Sequence, residues 1–272
     1  MTPALALIGY GEAGSTFACA AAWGNQAYGF DISPDRELAM VDHGVRHAAC
    51  ARDALAGAPL VISLVTADQA LSVATACAPL LSPGAIWCDM NSVAPDTKRE
   101  AAALVEAAGG HYVDVAVLAP VNLAQLAVPL LISGMAAARA ETLLRGAGFT
   151  NTRIVGDEVG RASAIKMIRS VMVKGIEALT AEMMLGAAAA GVTDEVLASL
   201  DASEKALPWA ERAAYNVERM ITHGLRRAAE MEESAKTLAF LGVEPVMTNA
   251  TVCRQREMAG QGIKKILERR EP

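Results

Sequence analysis

Residues 5–14 read Leu-Ala-Leu-Ile-Gly-Tyr-Gly-Glu-Ala-Gly, and this stretch decides the fold of the first half of the chain. Its four apolar residues predict a buried β-strand, and a helical pattern over Ala13–Trp23 follows directly. In the turn between them, Gly9 allows a sharp bend, Gly11 lets the backbone approach a ligand, and Gly14 lets the helix pack on the strand. The unpaired N–H groups at the helix start would face an anion. In this strand–turn–helix context the G-x-G-x-x-G pattern predicts a dinucleotide-binding turn. The predicted cofactor contacts of the turn are Gly9, Tyr10, Gly11, Glu12, Ala13 and Gly14.

The next predicted strand, Ala27–Asp31, ends on a carboxylate. A carboxylate at this place accepts hydrogen bonds from the ribose hydroxyls of NAD and repels the 2′-phosphate of NADP. No Arg or Lys follows at once, because residues 32–35 read Ile-Ser-Pro-Asp. Asp31 therefore favours NAD as the cofactor, with NADP less favoured. A glycine turn without a ligand, in which Asp31 merely caps the following helix, is the alternative.

Short β-like runs alternate with helical patterns up to about residue 155. Such alternation predicts βαβ units and a mostly parallel sheet, and continuous apolar strands suit a sheet that is covered on both faces. The predicted strands are Ala4–Ile8, Ala27–Asp31, Leu60–Val65, Ala85–Met90, Tyr112–Leu118, Val128–Ser133 and Arg153–Val155. The helices predicted between them are Ala13–Trp23, Pro34–His43, Asp68–Leu80, Pro95–Ala108 and Ala136–Ala147. The fold class predicted for residues 1–156 is thus an α/β Rossmann domain with a doubly wound sheet.

The pattern becomes entirely helical after Gly156. One long proline-free helix is predicted from Glu158 to about Ala190, and its apolar residues recur with a helical period. Glycine and proline residues separate the later segments. The later predicted helices are Glu195–Leu200, Ala210–His223, Leu225–Leu241 and Val252–Arg269. Residues 157–272 are therefore expected to form an all-α domain, joined to the first domain by the long helix.

Composition and charge exclude several classes of protein. The formal net charge is −6 and the pI is about 5.3, so nucleic acid is not an expected partner. Five cysteines without a C-x-x-C pair indicate free thiols in a reducing compartment, and four histidines without H-E-x-x-H spacing predict no metal site. The start Met1-Thr2-Pro3 carries no signal-peptide pattern, and no apolar run is long enough for a membrane span. A cytoplasmic location is expected.

The start of the long helix carries the candidate catalytic residue, Lys166. Helical spacing places Lys166, Ser170 and Lys174 on one face with Arg169 beside them, and a merely solvated polar face would have the same pattern. Apolar residues flank Lys166, however, and it lies near the joint between the predicted domains, where substrates commonly bind. Partial loss of hydration would make its proton transferable near neutral pH, as a general acid/base requires.

With these motifs the chain resembles the β-hydroxyacid dehydrogenases, the family that contains 3-hydroxyisobutyrate and 6-phosphogluconate dehydrogenases. The resemblance covers nearly the whole chain. It rests on the glycine turn, on Gly156/Gly160–Lys166, on Asp89-Met-Asn-Ser92 with Pro95, and on Leu64-Val65-Thr66. The resemblance implies that Lys166 is the acid/base, that Leu64, Val65, Thr66 and Asn91 contact the cofactor, and that Ser92 contacts substrate. The second half looks closer to an uncharacterised helical subgroup, through Lys166-Met-x-Arg-Ser170, Lys174-Gly-x-Glu177 and His223-Gly-x-Arg-Arg227.

The chain departs from that family where the family grips the substrate carboxylate. Leu118-Ala119-Pro120 stands where the family has a serine and two glycines, and Ser170 replaces an asparagine. Ala229-Glu230 stands where the family has a late Lys-Asp pair. Arg169 and Lys174, with Ser170 nearby, are the candidates to bind an anionic substrate instead.

The sequence thus predicts an NAD-dependent dehydrogenase of the CH–OH class, acting on a small 3-hydroxy acid or related alcohol. Two alternatives stay open: an imine or ketone reductase of the same two-domain plan, and a non-catalytic NAD-binding protein. Imine reductases typically lack the family's lysine at this helix position, so Lys166 favours the dehydrogenase. Family members commonly interlock their second domains, so a homodimer is expected.

Overall fold

The computed structural model describes residues 4–203 and 206–260, and a single sheet organises the first part of the chain. Eight strands form this sheet in the order β3-β2-β1-β4-β5-β6-β7-β8. The strands are β1 Leu5–Ile8, β2 Ala27–Phe30, β3 Arg46–His47, β4 Leu60–Ser63, β5 Ile86–Asp89, β6 His111–Val117, β7 Leu130–Ser133 and β8 Thr152–Gly156. All neighbouring pairs are parallel except β6 and β7, which are antiparallel.

The strand order reverses at β1, which pairs with β2 on one side and with β4 on the other. The connections therefore leave β1 in opposite directions, and a crevice opens beyond the carboxyl ends of β1 and β4. Ligands of open α/β sheets bind at such a switch point. The glycine turn follows β1 directly, so the fold places it in this crevice.

Both faces of the sheet are covered, as the apolar strands predicted. Leu5 and Leu7 contribute to one buried cluster, whereas Ala6 and Ile8 contribute to a second cluster on the opposite face. Alternate residues of a strand point to opposite faces, so a strand that is apolar at every position requires helices on both sides.

Eleven helices of α type lie in the described residues. They are α1 Glu12–Ala21, α2 Arg36–Asp42, α3 Ala51–Leu55, α4 Ala70–Cys77, α5 Pro95–Ala107, α6 Val121–Ala124, α7 Ala137–Gly146, α8 Arg161–Ala190, α9 Thr193–Ser203, α10 Trp209–Phe240 and α11 Val246–Met258. Within residues 4–203 and 206–260 no strand follows β8. The predicted fold class, a Rossmann-type α/β sheet followed by helices, is confirmed. None of these described helices is long and apolar enough to cross a membrane.

The predicted break between two helices at Gly224 is wrong. Gly224 was expected to separate two helices, yet α10 runs through it without a break. A Cβ at Gly224 would overlap the backbone oxygen of Gln255 on α11. The glycine therefore permits close packing of α10 and α11, and it does not end a helix. The last predicted helix, Val252–Arg269, begins earlier than expected, with α11 at Val246, and residues 261–269 of that prediction lie outside the described residues.

The Cα positions group into two compact units, Met1–Ser170 and Val171–Pro272. Helix α8 contributes its first ten residues to the first unit and the remainder to the second. The domain boundary that the sequence predicts, between residues 156 and 157, stays a prediction.

Candidate functional site

The glycine turn has two structural glycines and one that leaves open space. Gly9 has a φ of +94°, and a Cβ there would overlap the Leu64 carbonyl oxygen. A Cβ at Gly14 would lie 2.7 Å from the Gly9 carbonyl oxygen. A Cβ at Gly11, by contrast, would meet no protein atom within 4 Å, and Gly11 is the residue from which α1 starts. The turn therefore presents a cradle beside a helix N-terminus, the arrangement that binds the pyrophosphate of a dinucleotide.

Asp31 is fixed at the carboxyl end of β2. The backbone N–H of Tyr10 donates to its Oδ2 at 2.6 Å, and the N–H of Ser33 donates to its Oδ1 at 2.8 Å. Both oxygens are thereby oriented beside the glycine turn. Asp31 is half-buried and lines a cavity of about 500 Å³.

That cavity, called here the turn cavity, brings together six of the residues predicted to hold the cofactor. They are Gly9, Gly11, Asp31, Leu64, Val65 and Thr66. It also contains Arg36, which was not predicted because it lies just beyond the four residues that follow Asp31. The signal was available, because Arg36 is the first residue of α2, the helix that follows Asp31 in the chain.

A second cavity of about 400 Å³, called here the lysine cavity, shares Leu64 and Val65 with the turn cavity. Lys166 lines it, and its Nζ donates to Ser92 Oγ at 2.5 Å. The other predicted residues lining it are Glu12, Ala13, Asn91 and Ser92. The fold thus brings the glycine turn, the segment after β5 and the start of α8 to one place, although Ser92 and Lys166 are 74 positions apart.

Asn91 contributes to the site mainly by holding two loops together. Its side chain is buried, its Oδ1 accepts from the Val65 N–H at 2.7 Å, and its Nδ2 donates to Ser63 Oγ at 3.0 Å. These contacts tie the segment after β5 to the end of β4 and to the segment that follows β4. The amide is thus engaged by protein groups, and its role as a cofactor contact stays a prediction.

Five predicted residues do not line either cavity: Tyr10, Gly14, Arg169, Ser170 and Lys174. The Tyr10 ring is buried, and its hydroxyl pairs with His43 Nδ1 at 2.9 Å. Burial, followed by the nearby Cys19 thiol, raises the pKa of Tyr10 to about 12, so the hydroxyl stays neutral. Ser170 is half-buried on α8, and Lys174 is exposed further along α8 in the second unit. The substrate roles of Ser170 and Lys174 stay predictions.

One wall of the lysine cavity is apolar. It consists of Val117, the last residue of β6, and of Ala119, Pro120 and Val121, which follow that strand. Arg169 lies beside this wall, because its Nη1 donates to the Leu118 carbonyl oxygen at 3.3 Å. Asn122 holds the end of the wall against α1, since its Nδ2 donates to Glu12 Oε1 and its Oδ1 accepts from Thr16 Oγ1 at 3.1 Å.

Comparison with known proteins places this geometry in a family. The model of the NAD binding domain of 6-phosphogluconate dehydrogenase matches residues 4–148, which is more than half of the chain. The chain belongs to this family. A second model, for a domain of unknown function (DUF1932), matches residues 187–258. The predicted resemblance to the dehydrogenase family is confirmed, and the protein carries an NAD(P)-binding domain.

Solved structures match nearly the whole length of the chain. A conserved hypothetical protein from Sinorhizobium meliloti 1021 is 35% identical, with 94% of this chain and 88% of that chain covered and a TM-score of 0.62. Conserved protein MTH1747, of unknown function and described as structurally similar to 3-hydroxyacid dehydrogenases, is 29% identical, with 93% and 96% covered and a TM-score of 0.61. An imine reductase from Streptomyces aurantiacus has a TM-score of 0.77 with 98% and 99% covered, but at 20% identity this likeness shows the fold alone.

Proposed function

We propose that the protein is an NAD-dependent oxidoreductase that transfers a hydride between the nicotinamide and a small 3-hydroxy acid or related alcohol, with Lys166 as the general acid/base. The observation that carries the proposal is the Lys166–Ser92 hydrogen bond, which lies in a cavity adjoining the glycine turn. A proton-transferring group must lie within reach of substrate bound beside the cofactor, and this arrangement meets that condition.

The residues of the turn cavity fit a dinucleotide. Gly11 leaves the space that a Cβ would fill, the first turn of α1 offers backbone N–H groups, and Asp31 offers oriented carboxylate oxygens. When bound, the nicotinamide supplies the two-electron chemistry, accepting or giving the hydride at its C4. The protein's own residues supply position and the movement of the proton.

Lys166 and Ser92 handle that proton. Lys166 is half-buried, and Ser92 Oγ accepts a hydrogen bond from its Nζ atom. The Nζ atom is therefore held at the cavity and does not extend into solvent. In the oxidation direction the amine of Lys166 takes the proton from the substrate hydroxyl, and in reduction the ammonium returns it to the carbonyl oxygen. Ser92 keeps Nζ in place through both steps.

The substrate body would lie against the apolar wall that includes Val117, Ala119 and Pro120. Arg169 supports a carboxylate on that substrate, because it follows Lys166 by three positions on α8 and a guanidinium has five N–H donors, of which the contact to Leu118 uses one. Ser170 and Lys174 are proposed as further contacts, since helical spacing places them on the face of α8 that carries Lys166.

An imine or ketone reductase is the second candidate, and the same wall favours it. Where the resemblance implies a carboxylate grip after β6, the lysine cavity presents side chains that suit an uncharged ketone or imine. The two candidate functions differ in the charge of the substrate: a carboxylate for the dehydrogenase, and an uncharged ketone or imine for the reductase.

A matched substrate panel separates these functions. We would follow NADH absorbance with 3-hydroxy acids, the corresponding neutral alcohols, ketones and cyclic imines, and measure NADH binding separately. Turnover of 3-hydroxy acids with weaker turnover of the neutral alcohols supports the proposal. Turnover restricted to imines or ketones supports the second candidate, and NADH binding without any turnover indicates a non-catalytic NAD-binding protein.

The cofactor preference is expected to depend on Asp31. A hydrogen bond to a charged group contributes about 1.5–3 kcal/mol, so Asp31→Ala should reduce the preference for NADH over NADPH by roughly 10- to 100-fold in fluorescence titrations. Asp31→Asn is the closer control, because it keeps an acceptor for Tyr10 or Ser33. Arg36→Ala should weaken the binding of NADPH more than the binding of NADH, since a guanidinium in the turn cavity can face a 2′-phosphate. A wild type that binds NADPH more tightly than NADH would contradict this role of Asp31.

A homodimer is proposed as the working form, and the surface of the second unit supports it. Only four buried apolar residues are described there, three alanines and one valine: Ala187, Ala228, Ala235 and Val252. Large apolar side chains lie on its surface, including Leu185, Leu225 and Phe240 with exposed fractions of 61%, 70% and 91%. These exposed apolar side chains support the proposal of an interface, and family members commonly pair through this part of the chain.

Light scattering at micromolar concentration should give about twice the chain mass of 28.3 kDa. Phe240→Asp should shift the mass toward the monomer, because the interface would have to bury a carboxylate. Leu38→Asp on α2 of the first unit, where Leu38 is also exposed, is the matched control and should leave the mass unchanged. A monomeric wild type would contradict the proposal.

A further inference from the structure

Lys98, Asp89 and Asp114 form a buried ionic cluster. The side chains of all three are at most 1% exposed. Lys98 Nζ donates to the Asp89 backbone oxygen at 2.7 Å and to Asp89 Oδ1 at 2.8 Å, and it lies 3.5 Å from Asp114 Oδ1. Asp89 and Asp114 are register partners on the adjacent parallel strands β5 and β6, so the sheet itself brings the two carboxylates together.

Asp89 anchors the segment that carries Ser92. Its Oδ1 also accepts from the Asn91 N–H at 2.9 Å, and its Oδ2 accepts from the Tyr112 hydroxyl at 2.6 Å. Burial, and then the charge of Asp89, raise the pKa of Tyr112, so this hydroxyl keeps its proton and remains a donor. The chain from β5 to Ser92 is therefore fixed by Asp89 on one side and by the bonds of Asn91 to the segment after β4 on the other.

Asp114 anchors the start of the helix that carries Lys166. Its Oδ2 accepts from the Ser163 N–H at 2.9 Å, and its Oδ1 accepts from Ser163 Oγ at 2.6 Å. Ser133 Oγ donates to Asp114 Oδ2 at 3.3 Å and accepts from the Ala162 N–H at 3.1 Å. The N–H groups of a first helical turn have no partner within the helix, and an anion there also faces the positive end of the helix dipole. Asp114 thus seats α8 on the sheet one turn before Lys166.

We infer that Lys98 is a positioning residue for the Lys166–Ser92 pair: its buried ammonium joins the carboxylate that holds Ser92 to the carboxylate that holds the start of α8. This inference rests on the proposed role of Lys166. Lys98 does not line the lysine cavity, and it acts through Asp89 and Asp114. Without the ammonium, two carboxylates would face each other in a dry interior, and such a pair must separate, gain a proton or draw in water. Separation or the entry of water would move the segment with Ser92 relative to the helix with Lys166, and a gained proton would weaken the hydrogen bonds that Asp89 or Asp114 accepts.

The kinetic test is a double-mutant cycle of Lys98→Met with Lys166→Ala. A misplacement of about 1 Å can cost 10²-fold, so Lys98→Met should lower kcat by about 10- to 100-fold, with the NADH dissociation constant little changed. In the Lys166→Ala background the same substitution should lower kcat hardly further, because the group it positions is gone. Lys236→Met, at an exposed lysine on α10 paired with Glu233, is the control and should leave kcat unchanged. An unchanged kcat in Lys98→Met, or a loss of equal size in both backgrounds, would overturn the inference.

A second readout requires no turnover. Brief labelling of the protein with an amine-selective acylating reagent, analysed by peptide mass spectrometry, measures the reactivity of Lys166 against that of exposed Lys236 in the same sample. Loss of positioning should bring the Lys166 rate toward the Lys236 rate in Lys98→Met, whereas a Lys166 rate identical to wild type contradicts the inference.

If Lys98→Met does not fold, Ser163→Ala takes its place, because it removes the Oγ bond to Asp114 and leaves the backbone bond. It should show the same kcat loss on a smaller scale, and an unchanged kcat and labelling rate there would overturn the inference. Full turnover in Lys166→Ala would instead refute the acid/base role, and the labelling comparison would then still decide whether Lys98 positions Lys166.

Discussion

Replacing Lys166 with alanine is expected to lower kcat by about 10²–10⁴-fold, the range that general acid/base catalysis supplies. The substitution removes the group that moves the proton, and it leaves the glycine turn and Asp31 untouched. The NADH dissociation constant should therefore change little, so that the loss appears in kcat. Stopped-flow or steady-state turnover with the best substrate of the panel measures the first quantity, and fluorescence titration measures the second.

The competing interpretation is that Lys166 stabilises the fold. In that case the variant melts at a lower temperature but keeps its turnover number once it is folded. The melting temperature and kcat should therefore be measured on one preparation, and an active but destabilised Lys166→Ala would refute the catalytic assignment. Lys174→Ala is the matched comparison, since it removes a lysine from the same helix two turns later. If Lys174 contacts substrate, Lys174→Ala should lower kcat less than Lys166→Ala does and should raise KM more.

The strands of the first unit were predictable because the residues of each strand themselves indicate that it is buried. A run such as Leu60–Ser63, apolar except at its end, has no polar face to offer solvent, so it predicts a strand that is covered on both sides. The strand β3 was missed because Arg46–His47 is two residues long and polar. It exists because its backbone completes the edge beside β2, which is a property of the sheet and not of those two residues.

Gly224 shows why the break in α10 was predicted wrongly. A glycine in a helical pattern has two readings, a stop signal or a contact where another backbone comes close. The choice depends on Gln255 of α11, which lies thirty-one positions later in the chain. The local sequence pattern around Gly224 carries no information on which residue of α11 will pack against it.

The site, like the fold, has parts that the local sequence predicts and parts that depend on distant residues. The glycine turn is contiguous in sequence and was predicted directly, and family resemblance indicated Ser92 and Lys166, which the fold then brings together. Lys98 was missed, although it follows the spacing of the buried face of α5, which also carries Ala101, Ala102 and Val105. A lysine on an apolar stripe is a signal of a buried charge. Its partners, however, come from two different strands, and their meeting depends on the register of β5 and β6.

The glycine turn offers the other large expected effect, because two of its glycines should fail in different ways. Gly11→Ala should leave the melting temperature nearly unchanged, since its Cβ meets no protein atom within 4 Å. The same methyl group would occupy the space proposed for the pyrophosphate. Overpacking costs about 1–3 kcal/mol, so NADH affinity should fall by roughly 5- to 150-fold.

Gly9→Ala is the counterpart that tests the fold. Its φ of +94° strains any other residue, and its Cβ would overlap the Leu64 carbonyl oxygen. Backbone strain and overpacking each cost about 1–3 kcal/mol, which together form a large fraction of the stability of a typical domain. Thermal melting and NADH titration of both variants therefore separate the two roles. The melting temperature of Gly9→Ala should fall, whereas Gly11→Ala should keep its melting temperature and bind NADH more weakly. A Gly11→Ala variant that binds NADH as tightly as the wild type would show that the cofactor does not approach this turn.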